Sequence, residues 1–199
     1  MNTEEAILEL VKRQGILRPR EAEAAGLHGE TLRRLFLKGK LERIGRGLYT
    51  IPGALGSESV TLAEVAKRVP GAVICLLSAL QFHNLTTQLP HEVWIALEST
   101  AWRPKMDYPR LRIARFSGKA FHFGIEEHII DNVSVKVYTP AKTVADCFKF
   151  RNKVGLDVAL EALRETWRER RATADQLWIA AKACRVQNVI RPYLEATVT

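Results

Sequence analysis

The amino-acid sequence predicts an α+β protein, in which an N-terminal winged helix-turn-helix precedes a C-terminal mixed domain with an antiparallel sheet flanked by helices. Two observations predict this fold class. Near the N-terminus, helical apolar spacing gives way to a glycine-centred hairpin pattern, and the rest of the chain changes from helical to strand-like segments and back. The expected domains are residues 1–55 and 56–199. With 47% hydrophobic and 26% charged residues, the chain has the composition of a globular protein with a buried core.

Three helices are predicted before the hairpin. Residues 3–14 carry apolar side chains at helical spacing, with Thr3 as the expected N-cap. Pro19 suits the first turn of a short second helix, which Gly26 ends. A third helix is predicted over residues 30–38. Two helices around a tight glycine-containing turn indicate a helix-turn-helix.

The third helix is predicted to have one apolar and one polar face. Its inward residues are Leu32, Leu35 and Phe36, and its outward residues are Thr31, Arg33, Arg34 and Lys38. His28 precedes the helix where Ser or Thr would be the better cap, so it is interpreted either as a poor cap or as a DNA contact.

A hairpin is predicted directly after this helix. Strand-like residues 41–44 and 48–51 flank Gly45-Arg46-Gly47, where the glycines can adopt the positive φ that tight hairpin turns require. The arginine at the tip can approach a phosphate or the minor groove with little steric hindrance. A hairpin in this position predicts the wing of a winged helix.

The charge pattern supports a nucleic-acid partner. The net charge is +8, and residues 18–46 hold eight basic against four acidic side chains. We expect Thr31, Arg33 and Arg34 to enter the major groove, where arginine binds guanine by two hydrogen bonds. The full set of predicted DNA contacts is Arg18, Arg20, Thr31, Arg33, Arg34, Lys38, Lys40, Arg43 and Arg46. The alternative is that these side chains are solvated helix faces and the winged helix is only a protein-interaction module.

The second domain is predicted to begin after a small, polar linker at residues 53–59. A helix is expected near Thr61, and the apolar run 72–82 is expected to form one buried helix. The predicted strands are 92–97, 111–116, 124–130 and 133–138, with a turn at Asp131-Asn132, and the predicted final helices are 141–152, 156–170, 174–184 and 186–195.

No catalytic or metal site is predicted, and no cofactor is expected. Ser78 lacks the glycine elbow of a hydrolase nucleophile, Glu98 has no lysine two residues on, and the five histidines show no metal-ligand spacing. Asp146 and Asp157 are expected to be paired structural carboxylates. The cysteines, Cys75, Cys147 and Cys184, lie in apolar or helical stretches and are expected to be free thiols.

A second basic run lies between residues 103 and 119. It contains Arg103, Lys105, Arg110, Arg112, Arg115 and Lys119 against Asp107. Three interpretations of this run remain open: a solvated strand edge that resists aggregation, a second phosphate contact, or a surface for an acidic partner. The chain shows neither a secretion signal nor an apolar stretch of about 18 residues, so no membrane partner and a cytoplasmic location are expected.

Three segments carry a likeness to a known family. They are LERIGRGLYTIPG at 41–53, SALQFHNLTTQLPHEVWIAL at 78–97 and KTVADCFKFRNKVGLDVALEALRE at 142–165. They resemble the AbiEi-type antitoxins, also called type IV toxin-antitoxin transcriptional regulators. The third segment is the most specific and, with the second, is similar to the family's C-terminal domain.

The resemblance implies a non-enzymatic protein with two roles, in a system for phage defence. Its N-terminal domain would repress its own operon at inverted repeats of the promoter, and its C-terminal domain would neutralise a cognate nucleotidyltransferase toxin. The resemblance also implies self-association on the operator, with Arg46 and the outward face of the third helix as operator contacts. The alternatives are a stand-alone winged-helix regulator, a DNA-targeted nuclease and a protein-binding adaptor that uses the basic strand at 110–115.

Overall fold

The computed structural model divides the chain into two compact units. The described residues are 2–56 and 59–198. Unit 1 comprises residues 1–70 and 128–135, and unit 2 comprises residues 71–127 and 136–199. Unit 1 therefore contains one more helix than the predicted N-terminal domain, and a turn from later in the chain. Ser57 and Glu58 of the predicted linker lie outside the described residues.

The predicted helices and hairpin of the N-terminal region are present in unit 1. Its elements are α1 (Thr3–Gln14), α2 (Pro19–Ala24), α3 (Glu30–Leu37), β1 (Glu42–Gly45), β2 (Leu48–Thr50) and α4 (Val60–Arg68). The N-cap of α1 is Asn2, not Thr3 as predicted. Asn2 and Glu5 form a capping box, in which the backbone N–H of Asn2 donates to Glu5 Oε2 at 3.0 Å.

The apolar faces of α1, α2 and α3 are buried in one small core of unit 1. Its buried members are Ile7, Leu10, Val11, Leu17, Ala22, Leu32, Leu35, Leu41 and Tyr49. These residues come from α1, α2, α3 and β2, with Leu17 between α1 and α2 and Leu41 just before β1, so burial of apolar surface holds these three helices and the hairpin together.

The remainder of the chain forms five strands and seven helices in the described residues. They are β3 (Val73–Ile74), α5 (Leu76–Phe82), β4 (Val93–Glu98), β5 (Leu111–Phe116), α6 (Lys119–His122), β6 (Ile125–Ile130), β7 (Val133–Tyr138), α7 (Pro140–Lys149), α8 (Arg151–Val154), α9 (Leu156–Arg168), α10 (Ala174–Cys184) and α11 (Gln187–Val198). No helix in this described part or in unit 1 has the length and apolar character needed to cross a bilayer.

The sheet is mixed, and the prediction of an antiparallel sheet is wrong. The strand order is β5-β4-β3-β7-β6. Strand β3 is antiparallel to β4 but parallel to β7, and β4 is parallel to β5. Strand direction depends on how the chain crosses between strands, which local residue patterns do not encode. The predicted turn between β6 and β7 is confirmed, with positive φ at Asp131 and Asn132.

The prediction that residues 72–82 form one buried helix is wrong. Val73 and Ile74 form a short central strand, and α5 begins only at Leu76. A strand inside a sheet is covered on both faces, so most of its residues are apolar. The spacing of apolar residues therefore cannot distinguish such a strand from a buried helix.

The core of unit 2 contains a charged pair on consecutive turns of α7. Lys142 Nζ lies 2.5 Å from Asp146 Oδ2, and both side chains are 0% exposed. The ammonium also lies over the ring of Tyr138 at 4.0 Å, and Cys184 Sγ donates to Asp146 Oδ1 at 3.3 Å. Burial raises the pKa of Asp146, while the neighbouring ammonium acts to lower it. The prediction of Asp146 as a paired structural carboxylate is confirmed.

All three cysteines are free and buried in unit 2. Burial raises the pKa of Cys184 to about 12, so this thiol stays protonated beside Asp146. These features agree with the expectation of structural thiols.

Candidate nucleic-acid interface

The exposed face of α3 carries two arginines and a leucine. Leu32 and Leu35 are buried in the core of unit 1, as predicted. This orientation turns Arg33 and Arg34 to the surface, together with Leu37, whose side chain is 70% exposed. The helix therefore presents adjacent guanidinium groups beside an apolar side chain.

Thr31 does not lie on this face, and its predicted outward orientation is wrong. The side chain is 1% exposed, and its Oγ1 accepts a hydrogen bond from Arg34 Nη2 at 3.1 Å. Thr31 is one turn before Leu35, so the same side of the helix turns both toward the core. Phe36, predicted to face inward, is 38% exposed and makes an edge contact with the ring of Tyr49.

The basic side chains around α3 differ in how strongly the protein itself holds them. Arg33 makes an exposed ion pair with Glu30 at 3.1 Å. Lys38 and Lys40 share the carboxylate of Glu4, at 2.5 and 3.5 Å, and each lysine remains 53% exposed. The hydrogen bond from Lys38 lowers the pKa of Glu4. Two ammonium groups on one carboxylate leave a net positive charge at this end of α3.

The hairpin turns at Arg46 and Gly47. Gly47 has φ +69°, as predicted for a tight turn, and Arg46 is exposed at the tip. Arg43 is exposed on β1 and pairs with Tyr49 across the strands. The hairpin therefore presents two arginines to solvent.

Gly45 has a different role from the predicted one. It does not need positive φ; instead, a Cβ at this position would lie 1.9 Å from Arg68 Nη2. Arg68 is paired with Glu64 on the same helix, α4, at 2.8 Å. Burial raises the pKa of Glu64, and the Arg68 guanidinium acts to lower it. The missing side chain of Gly45 thus lets α4 contact β1 next to the turn of the hairpin.

Backbone hydrogen bonds attach the hairpin to the rest of unit 1. Leu17 and Tyr49 exchange amide-to-carbonyl bonds of 2.9 and 3.0 Å. Thr50 Oγ1 donates to the carbonyl oxygen of Gly15 at 2.7 Å. These bonds fix the hairpin relative to α1 and α2.

Arg18 and Arg20 have different environments at the start of α2. The Arg18 side chain is 16% exposed, and its Nε lies 3.6 Å from Glu21 Oε1. Lys67 of α4 binds the same carboxylate at 3.3 Å. Arg18 is therefore used inside unit 1, contrary to its predicted availability for phosphate, whereas Arg20 is exposed.

His28 is not the N-cap of α3. That position belongs to Gly29, which offers no side-chain hydrogen bond. The His28 carbonyl accepts from the Thr31 amide at 3.0 Å, and its side chain is exposed.

The exposure of Leu37 and the contact of Arg68 with the hairpin were not predicted from the sequence. Leu37 follows Arg33 by one helical turn, so its outward position was readable from the periodicity of α3. Arg68 had no local signal, because its contact with Gly45 joins residues far apart in the chain.

The comparison with protein families concerns this same region. The family model described as "Transcriptional regulator, AbiEi antitoxin" matches residues 5–52. This span runs from α1 to just beyond β2, so the predicted family resemblance is confirmed for the part of the chain that holds the candidate interface. No curated protein matches the chain.

Proposed function

We propose that the protein is a DNA-binding transcriptional repressor and antitoxin of the AbiEi type, in which unit 1 is a winged helix-turn-helix. The observation that carries this proposal is the order of exposed groups: Arg33 and Arg34 on α3, followed directly by a hairpin with Arg46 at its tip. The family match over residues 5–52 supports the same role.

In the proposed complex, α3 lies in the major groove. Arg33 and Arg34 bind base edges, because a guanidinium can make two hydrogen bonds to one guanine. Leu37 lies on the same exposed face and supplies an apolar contact of the kind made with thymine methyl groups. Thr31 and Arg18 have no part in this interface, since unit 1 uses both side chains internally.

The remaining exposed cations contact the DNA backbone. They are Arg20, Lys38, Lys40, Arg43 and Arg46, of which Arg46 and Arg43 belong to the hairpin that acts as the wing. Lys38 and Lys40 must exchange Glu4 for phosphate, so each contributes less to affinity than an arginine without such a carboxylate.

The regulated DNA is the promoter of the protein's own operon. Repressors that bind inverted repeats place one recognition helix in each half-site, with half-site centres about 10 bp or a multiple apart. Self-association on the operator would position two copies of unit 1 in this way.

Binding to the protein's own upstream DNA tests this function. Fluorescence anisotropy compares a labelled duplex from that region with a shuffled duplex of equal length and composition. Specific binding is expected to be at least about 10³-fold tighter than non-specific binding at physiological salt. Equal affinity for the two duplexes contradicts operator recognition.

The antitoxin role needs a separate experiment, because a stand-alone regulator would bind DNA equally well. The neighbouring open reading frame is expressed with and without this protein, and growth is measured. If the neighbour encodes a nucleotidyltransferase toxin, co-expression is expected to restore growth. Growth that stays inhibited contradicts the antitoxin role and leaves DNA binding unaffected.

A further inference from the structure

Strand β5 forms one end of the five-stranded sheet. It is paired with β4 in parallel, in a register that runs from Val93↔Leu111 to Glu98↔Phe116. Within the described residues, the strand order places no partner on its other side. The outer edge of β5 therefore presents backbone N–H and C=O groups that a further strand can pair with.

A groove of about 480 Å³ lies against β5. It is lined by the consecutive residues 111–115. Successive side chains of a strand point to opposite faces, so a groove that touches five in a row lies at the strand itself, and its contacts with Glu92 and Trp94 extend it toward the neighbouring strand β4.

The side chains around the groove are predominantly basic. Arg103, Arg112, Arg115 and Lys153 line it, and Glu92 is the one carboxylate among the described lining residues. Charged edges keep apolar strands from pairing with a sheet. An acidic strand can still pair with this edge, because its carboxylates would make charge-assisted hydrogen bonds with the guanidinium groups.

Two of these arginines are already held in position. Arg115 Nη1 donates to the carbonyl oxygens of Glu98 and Ala101, at 2.8 and 2.6 Å. The Arg112 guanidinium lies 5.5 Å from the centre of the Trp94 ring and 3.8 Å from Glu92 Oε2, and the side chain is 55% exposed, so an acidic partner would replace Glu92 there. A partner would therefore meet guanidinium groups whose conformational entropy is partly lost before binding.

The aromatic content of the groove favours a polypeptide over single-stranded nucleic acid. Base binding by a basic groove relies on open aromatic faces for stacking. Trp94 is the aromatic side chain among the described lining residues; it is 7% exposed and lies beneath Arg112. A base would find no open ring face there.

We propose that the outer edge of β5 binds an extended, acidic segment of a partner protein by strand addition. Backbone hydrogen bonds to β5 extend the sheet, and carboxylates on the segment bind Arg103, Arg112 and Lys153. This interaction goes beyond the proposed regulatory function and does not depend on DNA binding by unit 1.

The test uses the full chain and a fluorescein-labelled, end-capped peptide of alternating glutamate and valine. The peptide is expected to raise the anisotropy on binding, whereas the lysine-valine peptide is not. Arg112→Glu and, independently, Arg103→Glu are expected to weaken binding by at least about tenfold. The matched control is Arg164→Glu, which reverses the charge of an exposed arginine on α9 and is expected to leave binding unchanged.

Strand addition is separated from simple charge attraction by a peptide that is N-methylated at alternate residues. This peptide keeps its carboxylates but loses the donors that pair with a strand edge. It is expected to bind at least about tenfold more weakly. Hydrogen exchange is expected to slow at residues 111–116 with the unmethylated peptide and to remain unchanged with the methylated one.

Several outcomes would overturn the proposal. Absence of peptide binding would leave β5 as a solvated edge that only resists aggregation. Equal binding of the methylated peptide would remove the strand pairing. Tighter binding of an oligothymidylate, lost in both Arg112→Glu and Arg103→Glu, would make the groove a nucleic-acid site instead.

Discussion

Two groups of charged side chains, one in each unit of this protein, lie in opposite environments. In unit 1, Arg33, Arg34 and Arg46 are exposed on the surface. In unit 2, Lys142 and Asp146 lie inside the core, with both side chains fully buried. The position of a charged side chain in the fold, and not its residue type, therefore decides whether it is available to bind a partner or forms an ion pair inside the core.

The energetic consequences of the two placements also differ. An exposed ion pair contributes only about 0 to 1 kcal/mol, so charges on the surface of unit 1 are available for exchange with phosphate. Removing one partner of a buried pair leaves an uncompensated charge in the core, which is far more costly. Substitutions in unit 1 should therefore change binding, and substitutions at the buried pair should change stability.

The largest effect is expected for Asp146→Ala in unit 2. Its removal leaves the Lys142 ammonium without its carboxylate, and the free energy of unfolding should fall by about 3–5 kcal/mol. Urea unfolding measures the change. The double substitution Lys142→Met with Asp146→Leu removes both charges and should restore most of the loss; a double variant as unstable as the single one would contradict this account of the pair.

A smaller effect, mainly on binding, is expected for Arg33→Ala and Arg34→Ala in unit 1. Each substitution should weaken operator binding by about 1–3 kcal/mol and relax base preference. The free energy of unfolding of Arg33→Ala should stay within about 0.5 kcal/mol of the original, because its side chain is exposed. Arg34→Ala also removes the hydrogen bond to the buried Thr31 Oγ1, so its free energy of unfolding should fall by about 1 kcal/mol. Arg164→Ala, a surface arginine of unit 2, serves as the control, and an equal loss of affinity there would place DNA contacts outside the proposed interface.

Arg46→Ala at the hairpin tip should give a still smaller and sequence-independent effect. Loss of one phosphate contact should reduce the slope of log K against log salt by about 1. Anisotropy titrations over a series of salt concentrations measure the slope. If the slope is unchanged, Arg46 does not contact a phosphate.

The smallest effect is expected from Glu64, the partly buried carboxylate that supports the hairpin of unit 1. Burial raises its pKa above the ordinary value of 4.5, so the folded chain binds this proton more tightly than the unfolded chain does. The contribution of Glu64 to stability is therefore fully present below that ordinary pKa and is lost as the pH rises through the raised value. The free energies of unfolding of the original protein and of Glu64→Gln are measured across this pH range. The free energy of the original protein relative to that of the variant should decline as the pH rises; an increase would contradict the raised pKa.

Much of unit 1 is predictable from sequence because its signals are local. Helical spacing and the glycines after α1 and α2 locate the helices, and Gly47 locates the turn of the hairpin. The inward turn of Thr31 also follows from local spacing, because Thr31 lies one helical turn before Leu35. The internal use of Arg18 was not predictable in this way. Arg18 is held through Glu21, which also binds Lys67 of α4, a contact between residues distant in sequence.

Unit 2 shows where local patterns stop being informative. The strands β5 and β7 have the predicted bounds, because their β-branched alternation is local. The parallel pairing of β4 with β5 and the strand at Val73 depend on the assembled sheet. The groove along β5 is likewise invisible in the sequence, since it requires knowing that β5 is an edge strand.

The central claim is that the exposed face of α3 and the hairpin read DNA, and footprinting tests it most directly. DNase protection of the upstream DNA is measured with the original protein and with the Arg33→Ala, Arg34→Ala double variant. The original protein should protect a discrete segment at concentrations that leave a shuffled fragment unprotected, and the folded double variant should not. A double variant that protects the same segment at the same concentration would contradict the claim.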